Sequence, residues 1–427
     1  MVSSVAMTAT DAHRTIEAVW RIEAARLIAR LTRLVGDVGL AEELAQDALV
    51  AALEQWPRSG IPDNPAAWLM TTARNRALDE LRRRRMLSRK HAVLGVELEM
   101  EQDLKGDEPE TRAGDGIGDD LLRLIFIACH PLLPTDARTA LTLRLLGGLT
   151  TAEIARAFLV PEPTIAQRIV RAKRTLGEAQ VPFEIPRGEA LTARLASVLE
   201  VIYLIFNEGY SATAGEDWMR PALCEEALRI GRILAELAPR EPEVHGLVAL
   251  MEIQASRLHA RSGPGGEPVL LLEQNRALWD RVLIHRGLAA LARGETLGET
   301  RGPYLLQAAI AACHARAPTA ADTDWVYITA LYDELARIAP SPVVELNRAV
   351  AVAMAYGPAA GLELADRLAA DGALRSYHLL PSVRADLLAK LGRFAEARGE
   401  FERAAELTHN AREKQLLRER AAACNRA

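Results

Sequence analysis

Residues Asn64 to Arg85 read NPAAWLMTTARNRALDELRRRR. The Asn-Pro pair suits a turn followed by a helix start, because proline is tolerated in the first helical turn. From there Trp68, Leu69, Ala73, Ala77, Leu78 and Leu81 recur at spacings of three and four, so they line one stripe of a helix. Arg74, Asn75, Arg76, Asp79, Arg82 and Arg83 fall on the other side. Arginine neutralises phosphate, and arginine and asparagine both bond to base edges, so such a face suits nucleic acid. A solvated basic helix end is the alternative, since cations also favour helix C-termini.

The composition around this stretch favours helices throughout. Ala, Leu, Arg and Glu dominate the 427 residues, aromatics make up 4%, and alternating β-branched runs are almost absent, so an all-α protein of two or three domains is expected. A formal net charge of −5 excludes a uniformly basic DNA-coating protein; any DNA-binding charge must be local. The four cysteines, Cys129, Cys224, Cys313 and Cys424, lie far apart with no C-x-x-C pair, which argues for a reducing compartment and against a zinc site. No segment has the length of a membrane span, and MVSSVAMTATDAHRT lacks the pattern of a signal peptide. A cytoplasmic location without membrane association is therefore expected.

Before the basic stretch, residues 11–35 form a long helical pattern with Ile16, Val19, Trp20, Ile22, Leu27, Ile28, Leu31 and Leu34 as its apolar positions, ended by Gly36, Asp37 and Gly39. A second helix from Leu40 to Trp56 opens with Glu42, Glu43 and Asp47, with Leu44, Ala48, Leu49, Ala52 and Leu53 on its buried side. After the basic stretch, VELEMEQDLKGDEPETRAGDGIGDD is acidic and Gly-rich and cannot bury enough apolar surface to fold alone, so it reads as a flexible linker. Beyond it, Leu121 to His130 is strongly apolar, and Thr135 to Leu146 is a helix stopped by Gly147-Gly148. Thr150 to Glu153 fits a capping box, Ile154, Ala155 and Phe158 supply the core of a short helix, and Leu159 to Pro163 makes a tight turn. Thr164 to Leu176 is a helix with Ile165, Ile169, Ala172 and Leu176 facing in and Gln167, Arg168, Arg171, Lys173 and Arg174 on its other side. Short helix, tight turn and basic second helix form a helix-turn-helix pattern, with a plain basic helical hairpin as the alternative.

The two basic units in this order resemble an extracytoplasmic-function sigma factor. Region two of that family is resembled by GDVGLAEELAQDALVAALEQW followed by NPAAWLMTTARNRALDELRRRR, and region four by LLPTDARTALTLRLLGGLTTAEIARAFLVPEPTIAQRIVRAKRTL, over roughly residues 11–178. The resemblance implies that Glu42, Glu43, Gln46 and Asp47 dock on core RNA polymerase. It implies that Arg74, Asn75, Asp79, Arg82 and Arg83 open and read the −10 promoter element, and that Thr164, Gln167, Arg168, Arg171 and Arg174 contact the −35 element as duplex. Trp68 is read as a packing residue, from its place on the apolar stripe.

The chain runs about 250 residues past the end of a minimal sigma factor of this type. PFEIPR (182–187) reads as a hinge, and Asn207 to Tyr210 as a break ending a long apolar helix. EQNRALWDR (273–281) suggests no chemistry. Leu379 to Asn410, with Ala385, Gly392, Phe394, Ala397, Phe401 and Ala404, resembles a tetratricopeptide repeat, and the segments from Asp324 to Leu368 look like a degenerate copy. The expected organisation is region two over 10–86, linker over 87–118, region four over 119–180, a helical middle over 187–300 and helical repeats over 301–427. The expected function is promoter-directed transcription initiation, with promoter DNA and core polymerase as partners. A regulatory protein or small ligand is expected on the extension, which in the resembling group regulates the sigma factor. The rival reading is a helical-repeat adaptor acting as a conventional DNA-binding regulator. No phosphate loop, metal-ligand cluster or nucleophile elbow is evident, and the nine histidines are scattered, so neither enzymatic activity nor a cofactor is expected.

Overall fold

The computed structural model describes residues 9–92, 115–158 and 160–425. The chain is almost wholly helical over these residues, and its contacts divide it between Val201 and Ile202 into two compact units. The expected acidic linker over 87–118 lies, from 93 to 114, outside the described residues.

The first unit holds α1 (Ala9–Val35), α2 (Val38–Ser59), α3 (Pro65–Ala92), α4 (Asp115–Ala128), α5 (Thr135–Leu145), α6 (Thr151–Phe158) and α7 (Glu162–Glu178), and α8 (Glu189–Tyr210) begins in it. The turn between α1 and α2 is shorter than the sequence suggests. Gly36 takes a left-handed φ of 71°, and Asp37 caps α2 by accepting from the Leu40 amide at 2.9 Å, so Gly39 sits inside the helix. Ile16, Leu27, Ile28 and Leu31 of α1 are buried, but Ile22 is exposed because it falls off the stripe that these four define, and Leu34, which is on it, is exposed in the last turn of the helix. Trp56 of α2 is fully buried and meets Trp68 of α3 edge-to-face at 5.4 Å, which gives Trp68 the packing place read from its stripe.

The segments expected to be regions two and four share this unit. The apolar α4 packs along α1, α2 touches α7, and α5, α6 and α7 pack on one another. Arg138 of α5 is buried, hydrogen-bonded to Ser197 and 3.1 Å from Glu200, and the Ser197 hydroxyl donates to the Cys129 carbonyl at 2.6 Å. Leu195, Val198 and Leu199 are buried as well. The unit therefore extends past residue 180, where region four was expected to end.

The second unit takes in the rest of α8, α9 (Pro221–Leu237), α10 (Pro242–Ala255), α11 (Arg281–Leu297), α12 (Pro303–Arg316), α13 (Trp325–Ile338), α14 (Pro342–Tyr356), α15 (Pro358–Asp371), α16 (Leu379–Lys390), α17 (Phe394–Leu407) and α18 (Ala411–Ala423). Its one sheet among the described residues is a two-residue parallel pair, Ala214–Gly215 with His409–Asn410. The long apolar helix ends at Asn207–Tyr210 as expected, these residues forming the last turn of α8. Glu208 is buried there and held by Arg220, and a Cβ on Gly209 would stand 2.7 Å from the Cys224 amide nitrogen. The glycine itself serves close approach to α9.

From α12 onward each helix packs on the next. In the α16–α17 hairpin Ala385, Ala397, Phe401 and Ala404 are buried, and Gly392 turns the chain with φ of 75°. Gly361 of α15 is the tightest crossing in this part. A Cβ there would lie 2.4 Å from the Ala353 Cβ and 2.5 Å from the Ala349 carbonyl of α14. Gly361→Ala is expected to destabilise by about 1–3 kcal/mol through overpacking, read as a drop of several degrees in the melting temperature. An unchanged melting temperature would disprove the crossing.

Candidate nucleic-acid and polymerase interface

Helix α3 starts where the Asn-Pro pair puts it. The Asn64 side chain accepts from the Ala67 amide at 3.0 Å, and Pro65 opens the helix. Leu69, Ala73 and Ala77 are buried, which turns Arg74, Asn75, Asp79, Arg82, Arg83 and Arg84 to solvent. Arg82 pairs with Asp79 at 3.2 Å, and Arg83 and Arg84 with Glu80 at 2.8 and 3.0 Å. Exposed pairs of this kind hold their partners by less than about 1 kcal/mol, so a phosphate can displace the carboxylates. Arg74 and Asn75 have no side-chain partner among the described residues. Arg76 points elsewhere, to Asp47 of α2 at 3.5 Å.

The first helix of the helix-turn-helix is capped at its start. Thr150 and Glu153 form the reciprocal box: the Thr150 amide donates to the Glu153 carboxylate at 2.8 Å, and the Glu153 amide to the Thr150 hydroxyl at 3.1 Å. Ile154 and Ala155 of α6 are buried, as are Ile165, Ile169, Ala172 and Leu176 of α7. That phase places Thr164, Gln167, Arg168, Arg171 and Arg174 within about a third of a turn of one another on the outward side. Gln167, Arg171 and Arg174 are exposed. Arg168 is steadied by Asp136 of α5 at 2.9 Å and Arg174 by Glu178 at 2.6 Å, while Arg171 has no ion-pair partner among the described residues. Thr164, Gln167, Arg168 and Arg171 line one groove with Pro134 and Asp136.

Two residues read from the sequence lie elsewhere. Lys173 stands about half a turn from the centre of that outward side and reaches α2, where it pairs with Glu42. Glu42 is correspondingly buried, its side chain 3% exposed, and it also accepts from Arg144 of α5 at 2.6 Å and from Gln46. The acid set is thus divided. Glu43 and Asp47 are exposed, Gln46 is half-buried, and Glu42 is spent on two cations of region four. Arg144 carries no signal in the sequence, because its partner lies 102 residues away. The position of Lys173 could have been read from the phase set by Ile165, Ile169 and Ala172.

Residues 21–86 match the family model for sigma-70 region 2, and residues 123–176 that for sigma-70 region 4. The ECF RNA polymerase sigma factor SigL of Mycobacterium tuberculosis is 32% identical over 145 residues, which are 34% of this chain and 76% of SigL. The chain belongs to the ECF RNA polymerase sigma factors. SigC of the same organism, another ECF sigma factor, is 31% identical over 147 residues, covering 34% of this chain and 74% of SigC. The part of this sigma factor beyond those relatives includes residues 194–295, which match a family of unknown function, DUF6596. An uncharacterized protein of Rhizobium meliloti is 44% identical over 389 residues, 91% of this chain and 90% of its own length, so the likeness there includes the extension. No solved structure matches this sigma factor. No helix among its described residues is long and apolar enough to cross a membrane. Its four cysteines are free; three are buried, and burial pushes the thiols of Cys129 and Cys224 up to about 12, which makes them poor nucleophiles.

Proposed function

We propose that this sigma factor reads the −35 element as duplex with Thr164, Gln167, Arg168, Arg171 and Arg174, and opens and reads the −10 element with Arg74, Asn75, Asp79, Arg82 and Arg83. Docking on core polymerase falls to Glu43, Gln46 and Asp47, joined by Glu42 once it leaves Arg144 and Lys173. The observation that carries this reading is the outward phase of α7, which collects Thr164, Gln167, Arg168, Arg171 and Arg174 on one side of the helix that follows the capped α6.

The unit beginning at Ile202 is assigned a regulatory role, with its stacked helical hairpins serving as a tetratricopeptide-like surface for a partner or ligand. Its test compares promoter-dependent transcription by the full chain with that of a chain ending at Val201. The cut belongs there rather than near residue 180, because Ser197 and Leu199 are part of the first unit's core. A changed transcript level supports regulation, and its sign tells whether the extension inhibits or assists. Equal transcription by two equally folded chains would remove the regulatory reading.

A further inference from the structure

Inside the second unit, α8, α10, α12 and α13 surround a cavity of about 240 Å³. Its walls are aromatic at Tyr203, Phe206, Tyr210 and Tyr332, and polar at Arg257 and His314. Tyr203 is fixed by donating to Gln307 at 3.1 Å. Arg257 follows the end of α10 and is only 7% exposed, yet no carboxylate lies within ion-pair distance of it among the described residues. Its guanidinium rests 5.8 Å from the Tyr210 ring centre and 5.7 Å from that of Trp279, donates to Gln254, and keeps a buried Nε with no partner.

The neighbouring cations do not compete for this place. Arg261 is spent on the Tyr210 carbonyl at 2.7 Å, and Arg276 on the carbonyls of His314 and Ala317. His314 is 8% exposed with a buried, unpartnered Nδ1. Burial, Arg257 and Arg276 together push its pKa down to about 4, so it enters the site neutral. The lining contains no acid. A buried, unpaired guanidinium is costly, and an anion that brings two oxygens repays that cost.

We propose that this cavity binds a small aromatic monocarboxylate, its carboxylate on Arg257 and its ring among Tyr203, Phe206 and Tyr332. One guanidinium beside a neutral imidazole matches one negative charge rather than two. The cavity exceeds the roughly 150 Å³ that holds a benzene ring in an apolar protein cavity, so it has room for a single-ring acid. Flat aromatic walls suit a flat ring. The site stands on the second unit alone and does not depend on how the first unit reads a promoter.

The test uses the full chain and four probes: benzoate, 4-hydroxybenzoate, neutral benzamide and inorganic phosphate. Thermal unfolding and ligand-observed NMR should show binding of the two carboxylates and at least tenfold weaker binding of benzamide and phosphate. R257M should abolish carboxylate binding while keeping or raising the melting temperature of the ligand-free protein, because it replaces an unpaired buried charge with an apolar chain of similar reach. Asn347 lies at the exposed edge of the cavity, so N347W should block binding without touching the buried arginine. The proposal is overturned if neither carboxylate binds, if benzamide or phosphate binds as well, if binding survives R257M or N347W, or if R257M unfolds and so shows a structural arginine.

Discussion

Replacing Arg171 and Arg174 together with alanine is expected to weaken binding of this sigma factor to a −35 duplex by about thirtyfold or more. Each lost contact to a base edge or phosphate is worth about 1–3 kcal/mol, and 1.4 kcal/mol is a factor of ten. If both arginines contact phosphate, the slope of log affinity against log salt should also fall by about 1.8, at 0.9 for each neutralised phosphate. Folding should be spared, because both side chains are exposed and Arg174 is held only by Glu178 on its own helix. Two controls sharpen the result. Glu178→Ala removes a competitor for Arg174 and should leave binding equal or slightly tighter. Gly177→Ala lies one turn further along an open face, where an added Cβ meets nothing within 4 Å, and should change little. Salt-dependent titration of a labelled duplex reads all three. Unchanged affinity and slope in the double variant would remove α7 as the recognition helix.

The same helix shows what the sequence could and could not reveal. Its buried side was legible because Ile165, Ile169, Ala172 and Leu176 keep helical spacing, and a local phase fixes which neighbours face out. The helix start at Asn64-Pro65 and the capping box at Thr150 were legible for a similar reason, since each is set by residues within three positions of one another. Lys173 was misplaced because residue type was given more weight than phase. Asn207 to Tyr210 was legible as the end of the long apolar helix, while the need for a bare Cα at Gly209 was not, because it comes from Cys224 on another helix. Arg257 gave no signal, because a lone arginine becomes notable only once Tyr210, Trp279 and His314 are folded around it. Local order was written in the spacing of residues. Pairings between residues far apart in the chain were not.

The pairing of Glu42 with Arg144 and Lys173 leads to the second large effect. Removing both cations with R144M/K173M leaves a carboxylate that is 3% exposed without a countercharge. Breaking a buried pair from one side costs about 3 kcal/mol or more, so the packed arrangement of α2 against α5 and α7 should lose roughly a hundredfold in its equilibrium against the open one. If core polymerase takes α2 with Glu42 released, affinity for polymerase should rise toward that factor, because the free protein no longer resists opening. E42A breaks the same pair and opens the same contact, but it removes the carboxylate that would dock. It should therefore raise amide exchange in α2 as R144M/K173M does, yet gain less affinity. The contrast between the two variants separates a latch from a simple loss of stability, which would loosen both and favour neither. Amide exchange on the free protein and titration with core polymerase measure the two quantities. Equal affinities for the wild type and R144M/K173M, with faster exchange in the variant, would show that Glu42 only packs the unit and takes no part in docking.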